Sequence, residues 1–263
     1  MKKTIGIIGG GNMGEALIKG LHQSHHIFVT EANAQRVAYL KKKYRVTAAD
    51  INTTVKEAAI LILAVKPQDM TTVLEQIKSC TWGKPVISIA AGLTTRFFEK
   101  YFSGRKISVV RCMPNMPALI GEGITGICAG KYASAADMKL AQKILATIGQ
   151  TVIVKESMID AVTAVSGSGP AYVFLFVEQW MAAARSLGLN EKDAKNLVYE
   201  TLLGSAHLLK QSAFSAAELR AKVTSKGGTT EAAMKVFFEN DKFGELIEKA
   251  LNAAKDRSKE LSK

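Results

Sequence analysis

The sequence of 263 residues is poor in the residues that do metal and nucleophilic chemistry, with three cysteines and four histidines. Cys80, Cys112 and Cys128 are odd in number and widely spaced, with no CxxC pair. That excludes a disulfide framework and a cysteine-based metal site, and predicts reduced packing residues. His22, His25, His26 and His207 fall in no spacing suited to a metal or a catalytic triad, so no metal is expected. Long apolar runs are also absent. The longest, residues 60–65 and 172–177, fall far short of the ~20 needed to cross a bilayer. Residues 1–3 lead straight into a short apolar run, without the long apolar core and cleavage site of a secretory signal. A cytoplasmic protein with no membrane partner is expected. There is no low-complexity linker and no repeat of fixed period.

What is present suits an ordinary globular chain of one large or two medium domains, at 48% hydrophobic and 22% charged residues. The formal net charge of +12 is spread along the chain, without compact basic and aromatic interleaving. Nucleic acid is therefore not expected as a partner. A diffuse positive field instead favours encounter with anionic small molecules.

The first half alternates short β-branched runs with helical stretches, the pattern of parallel βαβ units. Strands are predicted at 4–8, 27–30, 60–65, 85–89, 107–111, 124–129 and 152–154. Helices are predicted at 13–23, 34–44, 70–78, 96–102 and 135–148. Beyond Lys155 the strands stop, and alanine- and leucine-rich segments recur at helical spacing. The expected organisation is a doubly wound parallel sheet over residues 1–155 and a helical domain over 156–263. Small residues such as Ala182, Ala183 and Ala184 suit either a subunit interface or intradomain packing.

Gly9, Gly11 and Gly14 form a GxGxxG pattern between the first strand and the first helix. There Gly9 permits a tight turn, Gly11 close approach of backbone to a pyrophosphate, and Gly14 close packing of helix on strand. The helix N-terminus then holds the phosphates. At the end of the second strand the signals conflict. Glu31 suits a free ribose 2′-hydroxyl or a capping role in the next helix, whereas Thr30, Asn33 and Arg36 suit a 2′-phosphate. Lys66 follows the strand ending at Val65, at the sheet edge where ligands of open α/β folds bind. Residues 109–117, VVRCMPNMP, form a proline-stiffened turn that either supports a cofactor ring or makes a structural corner with Arg111. In the second half, VSGSGPA (165–171) and VTSKGGTT (223–230) look like backbone turned toward a ligand. The latter offers hydroxyls and N–H groups for a carboxylate, or a simple helix cap by Thr229 or Thr230.

Together IGGGNMG (8–14), LAVKP (63–67), SIAAGLT (88–94), VRCMPNMP (110–117), DAVTAVSGSGPAY (160–172) and VTSKGGTT (223–230) resemble the pyrroline-5-carboxylate reductase family nearly from end to end. The resemblance implies an N-terminal Rossmann-type domain, a C-terminal all-helical dimerisation domain, and a homodimer that in some members builds a decamer of five dimers. It implies reduction of 1-pyrroline-5-carboxylate, a small molecule, to L-proline by NADPH, with NADH as an alternative. Carried over by position, Gly9, Gly10, Gly11, Asn12 and Met13 meet the pyrophosphate, Thr30 and Asn52 the adenosine ribose, and Ala64, Val65, Lys66, Pro67, Ala90 and Ala91 the nicotinamide side. Ser225, Gly228, Thr229 and Thr230 take the substrate carboxylate, Glu156 and Thr163 line the pocket, and Thr230 is the catalytic candidate beside the ring nitrogen. Lys226 and Glu231 depart from that pattern, where proline and an apolar residue are common, and call the rigidity of the loop into question.

An iminium is a strong hydride acceptor, so such chemistry needs placement more than a powerful acid or metal. Two other readings have weaker support. A β-hydroxyacid reductase of similar build needs a catalytic lysine, and neither Lys222 nor Lys226 has the required setting on a long helix. A dinucleotide-binding redox sensor does not need the hydroxyl and glycine loop at 225–230.

Overall fold

The computed structural model describes residues 2–80, 83–102 and 105–261. Met1, Ser262 and Lys263, at the outer ends of the two expected domains, lie outside the described residues. Among the described residues, eight strands form one sheet in the order β3-β2-β1-β4-β5-β6-β7-β8. They are β1 (Thr4–Ile8), β2 (His26–Thr30), β3 (Thr47–Ala48), β4 (Ile60–Leu63), β5 (Val86–Ser88), β6 (Val109–Met113), β7 (Gly123–Ala129) and β8 (Gly149–Ile153). Strands β1 to β6 pair in parallel. Helices α1 (Asn12–Leu21), α2 (Ala34–Tyr44), α3 (Ile51–Glu57), α4 (Pro67–Ile77), α5 (Thr95–Tyr101) and α6 (Ala135–Leu145) connect or flank them.

The sheet is buried on both faces, and the sequence of β4, ILIL, shows why it lacks polar alternation. Ile60 and Ile62 join one core cluster with Leu17 and Leu145, while Leu61 and Leu63 join another with Leu74 and Phe98. Successive side chains point to opposite faces, and a parallel sheet covered by helices on both needs each of them apolar. Each such side chain contributes about 1.5–3 kcal/mol on burial.

Two elements escape the periodicity reading. Strand β3 has two residues, and α3 is a short Thr- and Val-containing helix started by Asp50, whose carboxylate accepts from Thr53 N. The parallel expectation also needs correction at the far edge, where β7 runs antiparallel to β6. Only the 3₁₀ turn Met116–Ile120 joins them, too short for the crossover that a parallel neighbour requires. Strand β8 then pairs in parallel with β7, through α6.

After β8 the chain forms α7 (Ile159–Val162), a π-helical turn at Thr163–Gly167, and α8 (Gly169–Ser186), α9 (Glu191–Gln211), α10 (Ala216–Lys222), α11 (Thr229–Phe237) and α12 (Lys242–Leu261). By contacts the chain divides into two compact units, Met1–Pro170 with Ala253–Lys263, and Ala171–Asn252. The second unit has a small core of Ala184, Ala194 and Val198 packed by Val177, Trp180 and Met181. Large apolar side chains such as Phe174, Leu175, Leu203, Leu208 and Leu246 stand exposed along its helices. The stretch Glu156–Ser186 is long and apolar enough, by length and composition, to cross a membrane. Counting uninterrupted apolar runs misses it, because Ser166, Ser168 and Glu178 break the run.

Candidate active site

In the first unit, strands β1 and β4 are neighbours although far apart in sequence. The strand order reverses there, which opens a crevice at their carboxyl ends. Gly9 turns with φ +103°, and a Cβ on it would lie 2.6 Å from the carbonyl oxygen of Ala64. A Cβ on Gly14 would lie 2.1 Å from the carbonyl oxygen of Gly9. These two glycines are therefore required by packing. Gly11 is different: a Cβ there meets nothing within 4 Å. It is the N-cap of α1 and supplies no side-chain cap, so the N–H groups of Asn12 and Met13 lack a capping oxygen. An open approach to an uncapped helix N-terminus fits a pyrophosphate.

The crevice measures about 690 Å³ and is lined by Gly9, Gly11, Thr30, Glu31, Ala64, Val65 and Lys66, among others. That volume and lining fit an extended dinucleotide. Thr30 Oγ1 lies 3.1 Å from the Ala49 carbonyl and 2.8 Å from Thr54 Oγ1. Pro67 opens α4 directly after Lys66. Ala90 and Ala91 follow β5, the next parallel strand. Asn52 is not brought to this crevice: it faces Cys80 Sγ at 3.8 Å in a separate hollow, and its neighbour Ile51 lines the crevice instead.

Gly10 is committed on both sides of its backbone. Its N–H donates to Glu31 Oε2 at 2.8 Å, and its carbonyl accepts from Arg36 Nε at 2.7 Å. Glu31 also accepts from Asn33 N–H at 2.9 Å, while the cap of α2 is Asn33 itself, not Glu31. Arg36 Nη2 reaches Gly11 O at 3.3 Å and Glu15 Oε2 at 2.5 Å, so the arginine braces the glycine loop.

Glu15 is the hub of a cluster with no motif to announce it. Burial raises its carboxyl pKa, but hydrogen bonds from Tyr44, Tyr39, Lys43 and Arg36 outweigh that and hold it at about 2. Because the folded value lies below the ordinary 4.5, the contribution is full above pH 4.5 and is lost as pH falls toward 2. Solvent around this cluster screens its pairs, so the contribution is about 1 kcal/mol. Glu15→Gln should therefore unfold at lower urea than the parent at neutral pH. The gap should narrow at about pH 3, as urea titrations at the two pH values would show.

Glu156 and Thr163 lie in the first unit. Glu156 accepts from Thr95 N and Thr95 Oγ1, each at 2.7 Å, and from Arg111 Nη1 at 3.3 Å. Thr163 Oγ1 donates to the Ile159 carbonyl at 2.9 Å. Arg111 takes the structural role of the two open to it. Asn115 Oδ1 accepts from Ile124 N–H at 2.9 Å and fastens the turn between β6 and β7.

In the second unit the loop before α11 brings Ser225, Gly228, Thr229 and Thr230 together. Gly228 N–H donates to Ser225 O at 3.0 Å, and a Cβ on Gly228 would lie 2.5 Å from Ser225 Oγ. The N-cap of α11 is Gly228, without a side-chain cap, so neither Thr229 nor Thr230 caps the helix. The departure at Glu231 has a structural role: its Oε2 accepts from Gly227 N–H at 2.9 Å, where Gly227 has φ +73°. This carboxylate supplies a restraint that Lys226 does not. Lys222 Nζ sits 4.0 Å from the Phe214 ring centroid on the short helix α10, a surface cation–π contact.

The fold and the crevice define a dinucleotide-dependent oxidoreductase with a separate helical unit. A family profile described as pyrroline-5-carboxylate reductase dimerisation matches residues 156–261, and one described as NADP oxidoreductase coenzyme F420-dependent matches residues 4–92. Pyrroline-5-carboxylate reductase 2 of Bacillus subtilis is 39% identical, over 98% of this chain and 95% of its own length. The pyrroline-5-carboxylate reductase of Pseudomonas aeruginosa is 40% identical, over 98% and 96%. Among solved structures, a pyrroline-5-carboxylate reductase from Coxiella burnetii superposes with a TM-score of 0.91 at 37% identity, covering 100% of this chain and 99% of that one. A Plasmodium falciparum pyrroline carboxylate reductase with NADP bound gives 0.88 at 31% identity, covering 100% of both.

The chain belongs to the pyrroline-5-carboxylate reductase family. It is an NAD(P)H-dependent oxidoreductase of that type, and the exposed apolar faces of its helical unit lie within the matched dimerisation region. A homodimer interface accounts for those faces, and for the apolar stretch at 156–186.

Proposed function

We propose that the chain reduces the C=N bond of 1-pyrroline-5-carboxylate to give L-proline, the last step of proline biosynthesis, using NADPH, with NADH as an alternative. The observation that carries this reading is the pair of uncapped helix N-termini, one behind Gly11 for a pyrophosphate and one behind Gly228 for a carboxylate. Bound reduced nicotinamide supplies the hydride that the C=N carbon accepts. The chain binds the cofactor through Gly9, Gly11, Asn12 and Met13, with Thr30 toward the ribose and Ala64, Val65, Lys66, Pro67, Ala90 and Ala91 toward the nicotinamide. Gly10 and Asn52 contribute through loop geometry rather than direct donation, since Gly10 N–H is held by Glu31 and Asn52 faces Cys80.

The first-turn N–H groups of α11, with the Ser225 and Thr229 hydroxyls, hold the substrate carboxylate. Thr230, in the same turn, orients the ring nitrogen. Glu156 and Thr163 act as positioning residues within the first unit, because their polar atoms are taken by Thr95, Arg111 and Ile159. We assign dinucleotide binding to residues 1–155 and substrate binding with dimerisation to 156–263, in a cytoplasmic enzyme with free Cys80, Cys112 and Cys128.

Oxidation of NADPH and of NADH, followed by loss of reduced-nicotinamide absorbance with 1-pyrroline-5-carboxylate and its six-membered analogue, tests the assignment. Cofactor binding with no turnover of the five-membered imine would refute it. Light scattering on the same sample separates a homodimer from a decamer of five dimers.

Glu31 places a carboxylate on the crevice wall at the end of β2. A 2′-phosphate brought there meets like charge. Glu31→Gln keeps an acceptor for Gly10 and removes that charge, so the ratio of kcat/KM for NADPH to that for NADH should rise about tenfold, the equivalent of about 1.4 kcal/mol. An unchanged ratio would remove Glu31 from cofactor selection.

A further inference from the structure

The loop after β5, residues 89–94, sits at the carboxyl end of the strand next to β4 and carries the two alanines assigned to the nicotinamide side. Both of its flanks are held by groups distant in sequence. On one flank, Thr95 gives its N–H and hydroxyl to the two oxygens of Glu156. On the other, Gly92 has φ +78°, and a Cβ there would lie 2.9 Å from Leu261 Cβ and 3.0 Å from the Leu261 carbonyl oxygen. The last turn of α12 therefore packs against the backbone of this loop.

That turn is anchored in its own right. Ser258 is 3% exposed, and its Oγ donates to Asp160 Oδ1 at 2.7 Å. The same Asp160 oxygen lies 3.9 Å from Arg111 Nη2. Arg111 is 2% exposed, bonds Glu156 through Nη1, and has no hydrogen-bond partner at Nη2 among the described residues. A buried guanidinium thus links both supports of the loop, Glu156 under Thr95 and Asp160 under Ser258. Such a network costs desolvation and adds little net stability, whereas it fixes positions well. Residues from Ala253 onward belong to the first compact unit, apart from the helical unit in which α12 begins.

We propose that the C-terminal turn of α12 is a positioning clamp on the nicotinamide-side loop, with Ser258, Asp160 and Arg111 as positioning residues. None of them touches the reacting atoms. They act by fixing Ala90 and Ala91, and the inference rests on the assignment of that loop to the cofactor.

The test is Ser258→Ala in the full-length chain, with Ser258→Thr as the variant that restores the hydroxyl. Ser258→Ala should lose about tenfold in kcat/KM for NADPH, since small misplacements of a reacting group are costly. The KM for the imine should stay within about twofold, and Ser258→Thr should recover most of the loss. Cofactor parameters that do not move, or an imine KM that moves with them, would overturn the clamp.

Hydrogen exchange on the parent chain tests the same idea without mutation, should Ser258→Ala fail to fold. Adding NADPH should slow exchange in residues 89–95 and in 256–261 together. Protection confined to the glycine loop would again overturn the clamp. A parent chain that binds NADPH but does not reduce the imine would refute the reductase assignment, and this exchange measurement would still decide the clamp.

Discussion

Gly11→Val should bind reduced dinucleotide at least about a hundredfold more weakly than the parent while unfolding at nearly the same temperature, because the side chain obstructs a charged ligand and no protein atom. A Cβ at Gly11 meets nothing within 4 Å, and the residue is exposed with φ −64°, which any side chain adopts. The space that valine would fill is the approach to the N–H groups of Asn12 and Met13. Fluorescence titration with NADPH and a thermal melt measure the two quantities on one sample. The contrast is Gly14→Ala, where a Cβ would stand 2.1 Å from the Gly9 carbonyl oxygen, so cofactor binding and folding should fail together. Undiminished binding in Gly11→Val would place the pyrophosphate elsewhere.

The same comparison shows what the sequence makes legible. The strand, turn and helix around the three glycines of the motif are readable because TIGII and ILIL are short, apolar and β-branched, as buried parallel strands are, and a helical stretch follows the turn. The motif also tells the glycines apart, Gly11 toward the ligand and Gly14 against the strand, and the open space at Gly11 and the 2.1 Å approach at Gly14 agree with that; what is not readable is that Gly9 packs against Ala64, which arrives from a distant strand. The antiparallel β7 was hidden for a related reason. Residues 123–129 look like any other buried strand, and its direction is set by the shortness of the connection from β6.

Side-chain commitments were the least legible part. Arg36 and Glu31 sit where sequence rules place cofactor-selecting residues, yet each is engaged with the glycine loop: Arg36 with the Gly10 carbonyl, Glu31 with the Gly10 N–H. Glu15 carries no motif, and its four donors come from α2 across a turn and a strand. Ser258 looks like a polar residue on a charged terminal helix, and only its burial against Asp160 marks it. A signal of sorts exists: a lone serine on the apolar side of an amphipathic helix needs a buried acceptor. Asn52 shows the opposite case, since position in the resemblance selected it while its neighbour Ile51 lines the crevice.

Thr230→Ala should lower kcat by about a hundredfold, at the lower end of what a positioned proton-handling or orienting group contributes, and leave the dissociation constant for NADPH within about twofold. The two effects separate because Thr230 belongs to the helical unit and the crevice for the dinucleotide to the other. The fold should be indifferent to the change. Thr230 is half-buried in the first turn of α11, does not cap its helix, and leaves the Gly227–Glu231 and Gly228–Ser225 hydrogen bonds intact. What the methyl group cannot do is present a hydroxyl beside an uncapped helix N-terminus, where the proposed function has the substrate carboxylate fix the ring and the hydroxyl fix its nitrogen. Thr230→Ser should retain most of the rate, since the hydroxyl stays. Steady-state kinetics on the three proteins, with cofactor affinity measured separately, would show whether turnover falls alone. Equal kcat in parent and Thr230→Ala would take this residue out of the mechanism and leave the backbone N–H groups of α11 to orient the imine unaided.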